Sequence, residues 1–459
     1  MHPRSCNILE LSVMVQSVLH TMHRPGNEIQ RIQCVTAECW EDLFFTEPQS
    51  SPDAFDQMVQ LYRDYIIPRY GRFLHTFVLF HLPEQISFNL SHQYGSIHYY
   101  QTGPLLADCL SDRMRFHNQT LETDDPLTQS IFASLSDAGC TAVVSGSRRG
   151  LSVLPVANTL GFLSRQRPVL TCQVNASFFT MNPTDITSSF DQLGTAFGCC
   201  IKDGVILYPP LFNREAFLLH NDGSITIEPL SLTAIEVEVD GIRYRHGENA
   251  RFYSRPQHIR TPNGGYDLVI TGNRLCALAE GGRTSVPSSG FVIHTRTRPV
   301  LQEQPTVSFH GLEQIAFGIQ CGNSVIRNGI PTNRFRSSFH DIRRPWTPLY
   351  PPTFYPVRFD TDRAPRILLG ADDHSKPMLV WLEGAAKYGH IPGADSCGAT
   401  LKEAAEIAAD LGMRNGVHLD GGGSAQILLN GNRQLQLSDR DPAAFQEAER
   451  AVPLAIGVK

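Results

Sequence analysis

The feature that most constrains the fold is a succession of short apolar or alternating runs, each followed by a turn signal. Alternation with a period of two is typical of half-buried strands, and Asp-Gly, Asn-Gly and Gly-Asn pairs favour tight hairpin turns. The 36 glycines and 30 prolines add many further turn signals. We therefore predict an α+β fold of strand-rich mixed sheets with a few helices. The runs that carry this prediction are TCQVNASFF, GVILYPP, SITIEPL, YDLVITGNRLCAL and GFVIHT.

The chain divides into two predicted regions near residue 150. Residues 1–150 contain one helical pattern over 55–66, with Ser51 as its N-cap, and one apolar run over 75–82 that indicates a strand. We predict that this region is an N-terminal α/β extension, and its sequence indicates no chemistry. Residues 151–459 are predicted to form a second domain, which contains every motif discussed below.

Charge and hydropathy exclude several classes of partner. Lys+Arg 39 and Asp+Glu 45 give a net charge of −6, which offers no electrostatic case for a nucleic-acid partner. No run of 18 apolar residues is present, so we predict no membrane span. The apolar stretch over 8–19 is interrupted by Glu10 and Gln16 and lacks a small-residue cleavage site. We therefore predict no signal peptide and, by default, a cytoplasmic protein.

The eleven cysteines indicate thiols rather than a cross-linked or metal-bound framework. Their number is odd, none forms a CxxC pair, and Cys199 is adjacent to Cys200. Zinc ribbons and disulfide scaffolds need regular pairs, so neither is predicted. Free and mostly buried cysteines are the simpler interpretation.

The clearest helical pattern precedes the strongest motif. Thr400 and Glu403 form a capping box, and Gly412 supplies the stop. Between them the apolar residues lie at helical spacing on one face. The sequence therefore predicts a helix that leads directly into a strand over 417–419, and we expect residues 425–429 to resume that strand after a glycine interruption.

The interruption lies in NGVHLDGGGSAQILLNG, residues 415–431. Strand alternation places His418 and Asp420 on one face, so the strand ends on two polar groups. Glycines after a carboxylate permit positive φ and let a ligand approach the backbone amides closely, which suits a phosphate oxygen. A glycine-rich bend without a ligand is the alternative. The candidate phosphate-binding residues in this turn are Gly421, Gly422, Gly423 and Ser424, whose hydroxyl adds a donor.

Six blocks of the sequence resemble, in the same order, those of the phosphodiester glycosidase family. The resemblance extends from about residue 150 to the C-terminus. It departs from the family pattern at His418, where asparagine is usual, at Ile367, where threonine often follows the arginine, and at Ala385, within a segment where Asp-Gly-Arg is common. The six blocks are VNASFF, GNSVIRNG, APRILLG, SCGATLKEAAEIAADLG, VHLDGGGSAQILLNG and ERAVPLAIGV.

The resemblance implies a hydrolase that cleaves the glycosidic bond of a sugar-1-phosphodiester, releasing free sugar and a phosphomonoester. Phosphate is a good leaving group, so one carboxylate with anion donors can be sufficient. Asp420 is then the first candidate for the base, nucleophile or electrostatic stabiliser, and Glu383 is a second carboxylate at a strand end. Asn175 is expected to orient sugar hydroxyls through its amide, or alternatively to form a turn.

Arginines are the candidates for holding the phosphate. Arg366 interrupts an apolar strand, where an unpaired guanidinium is costly, so we expect it to face a carboxylate or a substrate phosphate. His418 and Arg327 complete the predicted binding set. Further arginines with Trp346 lie in the proline-rich segment 331–365, which is expected to collect an anionic substrate or to form a solvated basic loop. These are Arg334, Arg336, Arg343 and Arg344.

Two other functions are compatible with the same residues. A non-catalytic module that binds a phosphorylated glycan or cell-wall polymer would need the donors but not the carboxylates. A phosphodiesterase that cleaves the P–O bond would use a metal cluster, and the 17 histidines show no HxH or HxxxH spacing. The sequence requires no cofactor, although a metal-ligand role for Asp420 stays open.

Overall fold

The structure is a computed structural model. It describes residues 15–48, 161–166, 169–180, 194–211, 214–255, 257–332, 362–384, 391–439 and 447–458, and strand backbones within 74–122. The helix predicted over 55–66 and residues 333–361 of the proline-rich segment lie outside this part, as does Ala385.

The described residues form one α-helix and 29 strands. The helix α1 is Leu401–Asp410, and it begins at the predicted capping box. The N-terminal strands are β1 Gln16–Arg24, β2 Glu28–Thr36, β3 Leu43–Thr46, β4 Leu74–His81, β5 Gln85–His92, β6 Gly95–Thr102, β7 Arg115–His117 and β8 Thr120–Glu122. The middle strands are β9 Cys172–Asn175, β10 Cys200–Lys202, β11 Val205–Tyr208, β12 Arg214–His220, β13 Ile225–Leu230, β14 Glu236–Val239, β15 Ile242–Arg245, β16 Arg251–Ser254, β17 Asn263–Thr271, β18 Arg274–Gly282 and β19 Gly290–Thr295. The last strands are β20 Val307–His310, β21 Ile315–Ile319, β22 Ser324–Arg327, β23 Ile330–Pro331, β24 Arg366–Ala371, β25 Pro377–Leu382, β26 Asn415–His418, β27 Ile427–Leu429, β28 Asn432–Arg433 and β29 Ala455–Val458.

Two sheets enclose the core that carries the candidate site. One has the order β1-β2-β25-β24-β26-β22-β23, and the other has the order β28-β27-β9-β29-β3. Along β24 the side chains alternate: Leu368 packs towards α1, whereas Ile367 and Leu369 pack into a core shared with β9, β27 and β29. The seven-stranded sheet is therefore covered by the helix on one face and by the five-stranded sheet on the other.

Three further sheets share a second core. Their orders are β11-β10-β21-β12-β13, β15-β14-β20 and β16-β19-β17-β18. Phe217 and Phe317 belong to the first core, whereas Leu218 on the next position of β12 belongs to the second. Strand alternation therefore makes β12 a wall between the two cores.

The predicted fold class is confirmed, because strands dominate and the described residues contain a single α-helix. The strand predicted over 75–82 is confirmed as β4. The division at residue 150 stays a prediction; residues 16–46 contribute β1, β2 and β3 to the two sheets around the first core. No helix among the described residues combines the length and hydropathy needed to cross a membrane.

The expectation of one interrupted strand around the glycines is wrong. β26 pairs with β24 and β22 in the seven-stranded sheet, whereas β27 pairs with β9 in the five-stranded sheet. The glycines form a short 3-10 turn at Gly422–Ser424 that carries the chain from one sheet to the other across the core. A crossing this tight requires the backbone freedom of glycine, and Gly422 has a φ of +59°.

Candidate active site

Asp420 lies at the point where the two sheets approach each other. Its main-chain N–H donates to the Ala176 carbonyl at 3.0 Å, and the Asn175 side-chain amide donates to its carbonyl at 2.8 Å. Asn175 Oδ1 accepts the Gln426 N–H at 2.9 Å. The Asn175 amide therefore clamps both ends of the glycine turn. Its predicted contact with sugar hydroxyls stays a prediction.

The three glycines of the turn have different surroundings. A Cβ on Gly421 would lie 2.7 Å from the Pro365 carbonyl oxygen, and one on Gly423 would lie 2.2 Å from both Asp439 Oδ1 and Arg450 Nη2. Gly422 differs, because its Cβ position meets nothing within 4 Å. The protein itself therefore fills the space beside Gly421 and Gly423. Only Gly422 presents open backbone to an incoming molecule.

The amide groups of the turn are only partly available to an anion. The Gly422 N–H donates to the Pro365 carbonyl at 3.0 Å, and the Ser424 N–H donates to the Gly421 carbonyl at 3.2 Å. The Gly421 N–H is hydrogen-bonded to the Asp420 carboxyl. Most of the main-chain N–H groups that the sequence predicted to bind a phosphate therefore already donate to acceptors within the protein.

Burial changes the acidity of Asp420. Desolvation raises the pKa of its carboxyl to about 7, although the Ser424 hydroxyl, the Arg450 charge and the Gly421 N–H act in the opposite direction. The nearby Asp439 charge contributes to the increase in pKa. A carboxyl with this pKa exists in both protonation states near neutral pH, as a general acid or base requires.

His418 is a buried, neutral imidazole. Burial, reinforced by the positive charges of Arg366 and Arg214, lowers its pKa to about 3, although the hydrogen bond with the Leu419 carbonyl acts in the opposite direction. Its Nδ1 lies 3.2 Å from the Leu419 carbonyl, so the proton is assigned to Nδ1 and Nε2 is the acceptor atom. The ring edge contacts Phe178 at a centroid distance of 5.8 Å. The predicted role of His418 in substrate binding stays a prediction, and its neutral ring supplies no positive charge.

Arg366 is buried at the start of β24. Its Nε donates to the Ala399 carbonyl at 3.0 Å, and its Nη2 donates to the Asp362 carbonyl at 2.7 Å. These contacts stabilise a guanidinium within an apolar strand. The expected phosphate contact of Arg366 stays a prediction, while its charge acts on His418.

Glu383 and Arg327, which the sequence predicted as site residues, form hydrogen bonds and ion pairs away from Asp420. Glu383, which follows β25, accepts hydrogen bonds from Arg31 Nη1 at 2.8 Å, from the Gln436 N–H at 2.8 Å and from the Ser396 hydroxyl. Arg327 forms an ion pair with Glu215 at 2.7 Å. Neither set includes Asp420.

Sequence reasoning missed four residues around Asp420. Arg214, buried on β12, donates from Nη1 to the Cys321 carbonyl at 2.5 Å. Burial, reinforced by the Asp420 charge, raises the pKa of the Cys321 thiol to about 12. Arg450 and Asp439 form an ion pair at 2.7 Å beside Ser424. Arg214 carries the same signal as Arg366, a charge at the start of an apolar strand, and could have been found.

Possible metal ligands are not clustered here. Among the described residues, no group of three or more His, Cys, Asp or Glu side chains is arranged to hold a metal ion.

Part of the chain matches the model of a known family. Residues 247–459 match the model of the phosphodiester glycosidase family, which confirms the resemblance for this part of the chain. The family match indicates a hydrolase of the glycosidase type. The matched range contains Asp420 and Arg450 but begins after Asn175 and Arg214, which the fold brings to the same place.

Several solved structures are similar at low identity. The catalytic domain of zebrafish N-acetylglucosamine-1-phosphodiester alpha-N-acetylglucosaminidase, auto-inhibited by its pro-peptide, is 11% identical with a TM-score of 0.39, covering 98% of this chain and 85% of that one. A Synechocystis protein is 14% identical with a TM-score of 0.38, covering 97% and 81%. A Burkholderia pseudomallei K96243 protein is 13% identical with a TM-score of 0.40, covering 97% of both chains. No curated protein matches the chain.

Proposed function

We propose that the protein hydrolyses the glycosidic bond of a sugar-1-phosphodiester and that Asp420 is the catalytic carboxyl. One observation carries this proposal: a carboxyl whose pKa is raised to about 7 adjoins the open backbone of Gly422. Raised pKa values are a feature of acid and base groups in active sites. The family match over residues 247–459 supports the same reaction class.

The chemistry needs few groups because the leaving group is already acidic. In the proposed reaction the bond between the anomeric carbon and the phosphodiester oxygen breaks, and the bonding electrons leave with the phosphate. Water adds to the anomeric carbon and loses one proton. The ionised Asp420 carboxylate accepts that proton or stabilises the positive charge that develops on the sugar ring.

Two buried guanidinium groups supply the positive potential for the diester anion. Arg214 and Arg366 lie on different strands, and both act electrostatically on His418, which directly precedes the Leu419–Asp420 turn. Charges in a low-dielectric interior act over longer distances than charges in water. We propose that this field favours the anionic substrate.

Product analysis in ¹⁸O-labelled water tests the reaction class. The protein is incubated with a panel of sugar-1-phosphodiesters, and the masses of the products are measured by mass spectrometry. We expect the label in the free sugar and an unlabelled phosphomonoester. Label in the phosphomonoester would indicate P–O cleavage, and saturable binding without products would indicate a binding module; either result would overturn the proposal. The Asp420→Asn variant serves as the background control.

A further inference from the structure

We propose that Arg450 is a positioning residue for Asp420 and acts through the hydroxyl of Ser424. This inference rests on the proposed function, because it gives Arg450 a role in the site where Asp420 acts. It also assigns Ser424 to the carboxyl rather than to a substrate phosphate.

The contacts of Arg450 place it between Asp439 and Ser424. Its Nε and Nη2 donate to Asp439 Oδ2 at 3.0 and 2.7 Å, and its Nη1 donates to Ser424 Oγ at 3.3 Å. The side chains of Arg450 and Asp439 are 12% and 18% exposed, so water screens this pair only weakly. Asp439 thus fixes the guanidinium, and the guanidinium fixes the hydroxyl.

The chemistry of the donors sets the direction of the hydrogen bonds. A guanidinium can only donate, so Ser424 Oγ must accept from Arg450. The one hydroxyl proton of Ser424 is then directed to the Asp420 carboxyl, to which it is hydrogen-bonded. Hydrogen bonds to an ionised carboxylate favour that form. Arg450 therefore supports the ionised state of Asp420 without touching the substrate.

The contacts close into a ring. The Gln426 side-chain amide donates to the Arg450 carbonyl at 2.6 Å, and the Gln426 N–H donates to Asn175 Oδ1. Asn175 then donates to the Asp420 carbonyl. The ring links β9, the glycine turn and the segment before β29, with Asn175, Ser424 and Gln426 each at most 2% exposed. A closed, buried ring leaves the carboxyl little freedom to reorient.

The packing of Gly423 shows that the turn is built around this ion pair. A side chain at position 423 would occupy the space taken by Asp439 and Arg450. The groups that act on the Asp420 carboxyl are the Ser424 hydroxyl, the Gly421 N–H and the charges of Arg450 and Asp439. The Cys321 thiol also feels the Asp420 charge, and its own raised pKa keeps it neutral.

The test is the titration of Asp420 in Arg450→Met, Arg450→Lys and Ser424→Ala proteins. Aspartate is labelled with ¹³C at the carboxyl carbon, and the Asp420 signal is assigned by its loss in Asp420→Asn. We expect Arg450→Met and Ser424→Ala each to raise the Asp420 pKa by roughly one unit or more. Arg450→Lys keeps a charge but loses the planar fork, so it should restore only part of the shift. Arg433→Met, which removes an ion pair with Glu447 at 3.2 Å, is the matched control and should leave the titration unchanged.

A double variant separates an action through Ser424 from a direct one. If Arg450 acts through the hydroxyl, Arg450→Met combined with Ser424→Ala should shift the pKa by less than the sum of the single shifts. An unchanged titration in folded Arg450→Met, or fully additive shifts, would overturn the proposal. If Arg450→Met does not fold, an unchanged titration in Ser424→Ala would also overturn it. The titration needs no substrate, so failure of the proposed hydrolysis in the ¹⁸O assay is recognised separately.

Discussion

Asp420 and Glu383 follow strands β26 and β25, which lie on either side of β24 in the seven-stranded sheet, yet the surroundings of the two carboxylates differ. Glu383 is 1% exposed, and its oxygens accept from a guanidinium, a hydroxyl and a main-chain N–H. Asp420 accepts from Ser424 and the Gly421 N–H, meets Arg450 through Ser424, and adjoins the open side of Gly422. The two carboxyl groups therefore differ in their hydrogen-bond and charged partners. Glu383 has a direct ion pair with Arg31, whereas burial raises the pKa of Asp420 to about 7, and we propose that Asp420 rather than Glu383 acts in catalysis.

The largest expected difference between the two carboxylates is in turnover. Asp420→Asn keeps the shape of the side chain but removes the acid, so hydrolysis of a sugar-1-phosphodiester should fall by a factor on the order of 100 or more. Glu383→Gln should keep activity within about threefold per folded molecule. The measurement is kcat/KM, normalised by circular dichroism. Equal losses in the two variants would remove the distinction.

For stability we expect the opposite order, with Glu383→Gln lowering the free energy of unfolding more than Asp420→Asn does. Glu383→Gln takes the charge from the Arg31 ion pair, which lies at 2.8 Å with side chains 28% and 2% exposed. Breaking a largely buried, hydrogen-bonded pair is expected to cost about 1–3 kcal/mol of unfolding free energy. Urea denaturation at pH 7 measures this cost. A Glu383→Gln protein as stable as the wild type would show that the Glu383 contacts are not structural.

The pH dependence of stability sharpens the comparison. The pKa of Asp420 is raised in the folded state from its ordinary value of 3.8 to about 7, so the folded state binds this proton more tightly than the unfolded state does. The stabilisation is present below pH 4 and is lost as the pH rises to 7. The Asp420→Asn protein has no carboxyl at this position, so its stability should not fall in this way as the pH rises. The melting temperature of Asp420→Asn minus that of the wild type should therefore be larger at pH 8 than at pH 4, and a constant difference would contradict the raised pKa.

The smallest expected effect concerns the open side of the glycine turn. Gly422→Ala places a methyl group at a φ of +59°, which costs about 1 kcal/mol, but meets no protein atom within 4 Å. The matched control is Gly412→Ala, which also has positive φ and open space but follows helix α1. Both variants should melt slightly lower, and only Gly422→Ala should raise KM. An equal KM in the two variants would show that substrate does not approach Gly422.

Local signals predicted the elements, and long-range packing decided the site. The capping box at Thr400 and Glu403 predicted helix α1, because capping depends on residues three positions apart. The approach of Arg450 and Asp439 to Gly423 could not be predicted, because it depends on the path of the chain between two sheets. For the same reason the sequence could not show that Asp420 and Glu383 have different hydrogen-bond partners. The partners that distinguish Glu383 come from β2 and from residues 396 and 436.

The most direct test of the account is the pH dependence of kcat/KM for sugar-1-phosphodiester hydrolysis in the wild type, Glu383→Gln and Asp420→Asn. The pKa of Asp420, raised by burial to about 7, should appear as an ionisation near neutral pH in the first two proteins. The residual activity of Asp420→Asn should lack that ionisation. An ionisation near pH 7 that persists in Asp420→Asn and disappears in Glu383→Gln would contradict the account and transfer the catalytic role to Glu383.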